Sequence, residues 1–285
     1  MPYGVSAPVA GAEVDAWSMV RLPFEPRGEL ADFRRDLATA CRTLVAERGQ
    51  ILHASYTSRD RGPVDLENVL TYNLGTGAIR AAAGHGLVLE RSCGAGTHPH
   101  HYRYRLVDRS TTWTSWTPSQ PLGSITLSAP PHLFTTPKAG RWWLHARRHG
   151  TLTAARPTST VPERFALRLT VTPPSGWRGH LVSLLKPLTD GLLAAMHSHD
   201  EDPALLADRA PTIDDTFTPN EFRALLRHPG PLGPTRLVVR RGNTLQWLPA
   251  DDRIVALDAR LAPDREAGTV HGEALAVVQS GVARV

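Results

Sequence analysis

Two stretches of the chain share one plan, and that plan limits the folds open to it. "ILHASYTSRDRGPVDLENVLTYNLG" and "ALRLTVTPPSGWRGHLVSLLKPLTDG" each run from an alternating apolar segment, through a turn of seven or eight residues, into a helix. Laid in register, Asp65 falls on His180, Glu67 on Val182, Asn68 on Ser183 and Thr71 on Lys186. Two readings stay open: a duplication, or the chance likeness of two strand–turn–helix units in one α+β protein.

The remaining segments fit the α+β class. "GELADFRRDLATACRTLVAERG" places Leu30, Phe33, Leu37, Cys41 and Leu44 at helical spacing, and Gly49 supplies a stop. "WSMVRLPFEP" is expected as a strand ending at Pro26. "GLVLERS", "HYRYRLVD", "TTWTSW", "SITLSA" and "GRWWLHARR" are expected as strands of an antiparallel sheet or meander, separated by Gly, Pro and Ser. "GTLTAARPTSTVPE" reads as a linker. It divides the chain into an N-terminal α+β half over residues 1–160, with a β-rich insertion containing Trp and Arg, and a C-terminal half over 161–285. In the second half Leu181, Leu184, Leu185, Leu188, Leu192, Leu193 and Met196 form one apolar helical stripe. Two short helices are expected in the polar stretch after it, two strands around "LPADD", and a last strand or helix in "GEALAVVQSGVARV".

A chain of 285 residues can bury a substantial core without covalent staples. Its two cysteines, Cys41 and Cys93, make no disulfide framework, so a reducing cytoplasm is expected. No basic segment followed by an apolar run opens the sequence, and no apolar run approaches the ~20 residues of a membrane span. Lys plus Arg number 32 against 27 acids, giving a net charge of +5, and the pI is about 9.7. Lysine occurs only at Lys138 and Lys186. An Arg- and Ala-rich composition is what a GC-rich genome produces; the positive balance also admits a polyanionic partner.

Five features could carry chemistry. In "PVDLENVL", Asp65 and Glu67 stand at a strand-to-helix junction, where they either cap the helix or offer oxygens to a hard divalent cation. Lys186 and Asp190, one helical turn apart, form either a solvated ion pair or a phosphate-contacting arm. Pro187 suits a helix start, which would put Lys186 at the helix mouth. Asp251 and Asp252 in "LPADDRIVAL" make either a turn or a second source of carboxylates. The histidines of "THPHHYRY" (His98, His100, His101) and "MHSHDED" (His197, His199) belong either to loops or to a transition-metal site. Trp113, Trp116, Trp142 and Trp143, with Tyr102 and Tyr104 among arginines, form either one buried face or a base-stacking surface. No G-x-S-x-G nucleophile elbow and no G-x-x-x-x-G-K-[ST] phosphate loop is present.

"DLEN" at 65–68, "KPLTDGLLAAM" at 186–196 and "PADDRIVAL" at 249–257 together resemble the Holliday-junction resolvases of the RusA type. That family has a D-x-D-N stretch after a strand, a lysine-bearing helix of the form K-P/A-x-x-D, and a later acidic pair before a strand. The resemblance implies a Mg2+-dependent, structure-selective endonuclease. Its metal ligands would be Asp65, Glu67, Asp251 and Asp252, with Lys186 contacting phosphate and Asp190 beside it in the catalytic helix. It implies a nucleic-acid partner, DNA in preference to RNA, admits a homodimer, and calls for no membrane. In this chain the lysine follows "DLEN" by about 120 residues, and His180 and Val182 stand where its own half should be acidic. Halves that are duplicates with complementary losses would build one composite site between them. The alternative expectation is a non-catalytic nucleic-acid or protein-interaction module.

Overall fold

The structure, a computed structural model, describes residues 2–6, 12–60, 62–92, 97–155, 160–215, 217–262 and 268–280. Cys93 and part of the expected linker, 156–159, lie outside these residues. The fold is α+β. Its strands are β1 (Tyr3–Val5), β2 (Glu13–Ser18), β3 (Gln50–Ser58), β4 (Gly86–Ser92), β5 (His100–Asp108), β6 (Trp116–Ser128), β7 (Thr151–Ala154), β8 (Phe165–Thr172), β9 (Ser198–His199), β10 (Pro234–Thr235), β11 (Val238–Arg241), β12 (Thr244–Trp247), β13 (Ile254–Leu261) and β14 (Thr269–Gln279). Its α-helices are α1 (Glu29–Cys41), α2 (Leu66–Leu70), α3 (Thr76–Ile79), α4 (Pro131–Thr135), α5 (Ala139–His149), α6 (Leu181–Met196) and α7 (Pro219–Arg227).

Ten strands form one sheet in the order β1-β2-β5-β3-β4-β13-β8-β14-β6-β7. Its middle is the antiparallel β4–β13 ladder. Outward from that ladder both sides repeat one pattern. The first neighbour is parallel (β4–β3, β13–β8), and the next three pairings are antiparallel (β3–β5, β5–β2, β2–β1; β8–β14, β14–β6, β6–β7). The registers agree in detail. Laying Leu52 on Leu167, the alignment that puts Asp65 on His180, carries their ladder partners Leu87 onto Leu257. The next residue pair, Val88 and Asp258, then face each other in the central ladder. Two units that share one sheet order are therefore related by a local two-fold axis passing through the Val88–Asp258 pair. α1 follows β2 and α5 follows its counterpart β6, while α2 and α6 follow β3 and β8; the edge strands differ in chain order, β1 preceding β2 and β7 following α5.

This symmetry moves the boundary expected at residue 160. β6, α5 and β7 belong with β8 and β14, so the units meet at the β5–β6 connection. That connection is fastened across the axis. The buried Glu90 carboxylate accepts from the Thr114 and Ser115 amides at 2.8 and 2.9 Å and from the Thr114 hydroxyl. His53 lies 3.1 Å from the same carboxylate. Burial pushes the Glu90 carboxyl up, but His53 and these donors outweigh it and hold it down to about 2.

Helices cover one face of the sheet. Phe33, Leu37 and Cys41 of α1 are fully buried, as their spacing requires. On the other face Ile51, Val88, Ala166, Val255 and Leu275 lie under Trp113 and Trp116. Four expectations are corrected. "TTWTSW" is not a strand up to Ser115, and only its Trp116 enters β6. "WSMVRLPFEP" leaves the sheet at Ser18 instead of continuing to Pro26. "GRWWLHARR" is helix α5, because burying Trp142, Trp143 and Ala146 against α6 outweighs the alternating look of Trp and Arg. "TRLVVRRGNTLQWLPADDRIVALDARL" makes three strands, β11, β12 and β13, since Gly242 turns the chain with φ 56°.

Candidate functional site

The third-strand exits and the entry to β13 deliver acidic side chains to one place. Asp65 ends the loop after β3 and caps α2, accepting from the Asn68 amide at 3.0 Å. Its second oxygen accepts from Lys186 Nζ at 2.9 Å. Capping and site placement are therefore two functions of one carboxylate. One turn further on, Asp190 of α6 lies 3.0 Å from the same nitrogen. Lys186 also donates to Asp251, at the N-terminal side of β13. Glu67 in α2 is 3 % exposed, and neither of its carboxylate oxygens has a hydrogen-bond partner. Ala250, just before Asp251, takes a left-handed conformation with φ 56° that aims the acid inward. The Val64 amide donates to the Asp252 carbonyl at 3.4 Å, tying the two acid-bearing loops together.

Electrostatics follow from crowding. Burial raises the carboxyl of Asp65, pushes that of Glu67 well up, and lifts that of Asp190 to about 7, with Lys186 opposing each shift. Burial also works to raise Asp251, but the Lys186 ammonium outweighs it and keeps that carboxyl low. Lys186 is pulled down by burial and pushed further up by Glu67, Asp190, Asp65 and Asp251, so it stays charged.

Two expectations about this site change. Asp252 does not join the cluster: it is exposed and lines an adjacent cavity, because the short helical turn at 251–253 points successive side chains apart. Lys186 is not at a helix mouth, since α6 begins at Leu181 and Pro187 lies inside it. The proline removes the donor that would reach the carbonyl of Ser183, an exposed residue.

The cavity is one that motif reading does not reveal. It holds about 350 Å³ and is lined by Arg91, Arg164 and Arg253 with Asp252, Glu163 and Pro63. Arg91 donates to the Asp60 and Gly62 carbonyls at 2.5 Å, and its buried Nε has no partner. The only sequence trace of this group is Arg253, next to the acidic pair.

Four of the five candidate histidines have partners, while His199 is buried with neither ring nitrogen hydrogen-bonded. His98 stacks on Trp17 with ring centroids 3.7 Å apart, and His100 meets the Tyr56 hydroxyl at 2.7 Å. His101 meets Asp15 at 2.7 Å, and His197 donates to the Gly233 carbonyl at 3.0 Å. Trp113, Trp116, Trp142, Trp143, Tyr102 and Tyr104 are all buried, so they form core and not a stacking surface. Among the described residues no group of three or more His, Cys, Asp or Glu side chains is spaced to hold a metal ion as it stands. In the acidic cluster the Lys186 ammonium occupies the centre. Comparison with family models, with curated proteins and with solved structures finds no match.

Proposed function

We propose that this chain binds nucleic acid and hydrolyses phosphodiesters with magnesium at the Lys186 cluster, as a structure-selective endonuclease of resolvase-like descent. One observation carries the reading. Carboxylates from three separate segments meet around one ammonium, and Glu67 among them is buried without a partner. A buried carboxylate with no partner is costly, so a cation or a proton belongs beside it.

The donor set suits a hard ion. Asp65, Glu67 and Asp251 would hold Mg2+ through oxygen, and Lys186 would withdraw from their centre toward a phosphate. A divalent ion there supplies an activated water and offsets charge on the phosphodiester. Asp190, with a carboxyl lifted to about 7, can take or release a proton near neutral pH. The arginine-lined cavity beside Asp251 and the net charge of +5 favour a polyanion at this edge of the molecule.

The test is cleavage of four-way and flap DNA with Mg2+ or Mn2+. Incision should vanish with EDTA and with Asp65→Asn, and calorimetry should show Mg2+ uptake by the wild type. A folded wild-type protein that binds DNA yet takes up neither ion would overturn the nuclease reading.

A second reading has its own support: the ammonium already fills the centre of the cluster. Closed in this way, the cluster is an ionic joint between the two units of a non-catalytic nucleic-acid or protein-interaction module. The same calorimetry separates the two readings.

A further inference from the structure

We infer that the arginine-lined cavity beside Asp252 is a binding site for a phosphate monoester carried on a sugar. It needs neither Mg2+ nor incision, so it stands whether or not the Lys186 cluster cuts.

The ladder registers bring three guanidinium groups together. Ala256 pairs with Glu90 in the central ladder, so Arg91 near the end of β4 lies across from Val255 at the start of β13. Ile254 pairs with Phe165 in the parallel ladder, so Arg253 and Arg164 lead into neighbouring strands side by side. All three arginines line one cavity of about 350 Å³.

Arg91 is the buried member, 6 % exposed. Its terminal nitrogens donate to the Asp60 and Gly62 carbonyls, its Nε has no partner, and among the described residues no carboxylate pairs with it. Two neutral oxygens fix the guanidinium in place without cancelling its charge. A buried cation left in that state is costly, and an anion beside it removes the cost. Arg253 steadies the rim by donating to the Val161 and Pro162 carbonyls at 3.0 and 3.4 Å.

Charge and size select the ligand. A phosphate monoester carries about 1.5 to 2 negative charges near neutral pH, more than a diester within a strand, and arginine forks match its oxygens. The cavity lies at the small end of ligand sites, which hold roughly 300–1,000 Å³. That is room for a sugar phosphate and not for a duplex. Asp252 and Glu163 also line it and can accept from sugar hydroxyls. Among the described residues no aromatic ring lines it, so no base is stacked there. The recognised group is therefore phosphate and sugar, either free or at the phosphorylated end of a strand.

Calorimetry in EDTA reads the site. The probes are a nucleoside 5′-monophosphate, its 5′-methyl diester, the bare nucleoside, and a short oligonucleotide with or without a 5′-phosphate. The monophosphate should bind at least about tenfold more tightly than the methyl diester or the nucleoside. Arg164→Gln and Arg253→Gln should each weaken it about tenfold. Arg227→Gln, the same charge change at an exposed arginine outside the cavity, should leave it unchanged. Arg91→Gln should abolish binding, and where that variant does not fold the other two decide. A mononucleotide bound as tightly as the phosphorylated oligonucleotide assigns the site to free sugar phosphates. A phosphorylated oligonucleotide bound more tightly than both the mononucleotide and its hydroxyl-ended twin assigns it to strand ends. No binding of the monophosphate, equal affinity for monoester and diester, or binding unchanged in both Arg164→Gln and Arg253→Gln overturns the inference. Because metal is removed throughout, such a failure leaves the nuclease reading intact, and a protein that takes up no Mg2+ leaves this inference intact.

Discussion

Lys186 is the residue on which the acidic cluster balances. Three carboxylates contact it directly, and Glu67 joins them in its field. Lys186→Met leaves those carboxylates without a cation in a partly buried place, at a cost of about 3–5 kcal/mol near pH 7. Urea unfolding should show that loss, and lowering the pH should reduce it as the carboxylates take protons. Asp190 gives a cleaner measurement. Its folded carboxyl is raised to about 7, so it favours folding most at pH values below the unfolded carboxylate range and loses that contribution as pH climbs to about 7. The difference in stability between wild type and Asp190→Asn should therefore change by up to ~1.4 kcal/mol per pH unit between about pH 4 and 7, wild type losing ground as pH rises. Asp252→Asn should leave Mg2+ uptake by calorimetry at the wild-type level, because that side chain lines the arginine cavity and does not contact Lys186.

Between elements, the α5–α6 contact sets where Lys186 stands. Gly191 lets the helices touch: a Cβ there would lie 2.3 Å from Trp142 Cβ and 2.7 Å from the Ala139 carbonyl oxygen. Gly191→Ala should lower stability by about 1–3 kcal/mol despite alanine's better helix propensity, measured as the urea midpoint. The element-level reading of the sequence succeeded where pattern and environment agreed. α1, β3, β8 and the apolar stripe of α6 follow from their spacing. It failed at "GRWWLHARR", where strand alternation and a helical face of Trp142, Trp143 and Ala146 coexist, and only α6 decides between them. It failed at Pro187, because a helix packed this tightly tolerates a proline that local chemistry would place at its start. The members of the acidic cluster were legible as short motifs, since Asp65, Lys186 and Asp251 each stand at a recognisable junction. Arg91 was not, because nothing local distinguishes it from any other arginine on a strand.

For the whole molecule, the decisive fact is that the sheet is continuous across the axis. The β4–β13 ladder, the Glu90-bound connection and the Lys186 cluster all join the two units. Unfolding should therefore be a single transition, coincident by fluorescence and circular dichroism, and not two. Glu90→Gln should cost about 3 kcal/mol near pH 6, because its carboxyl is held at about 2 in the folded protein. That contribution is present above the unfolded carboxylate range and is lost as pH falls toward 2, opposite in sign to Asp190.

The outermost strands, β1 with 3 residues and β7 with 4, are much shorter than those inside. β7 covers only Gly123–Thr126 of β6, and the uncovered stretch beside it carries Pro118 and Pro121, which have no amide to offer a visiting strand. Short outer strands at both rims and these prolines at one of them work against growth by strand addition.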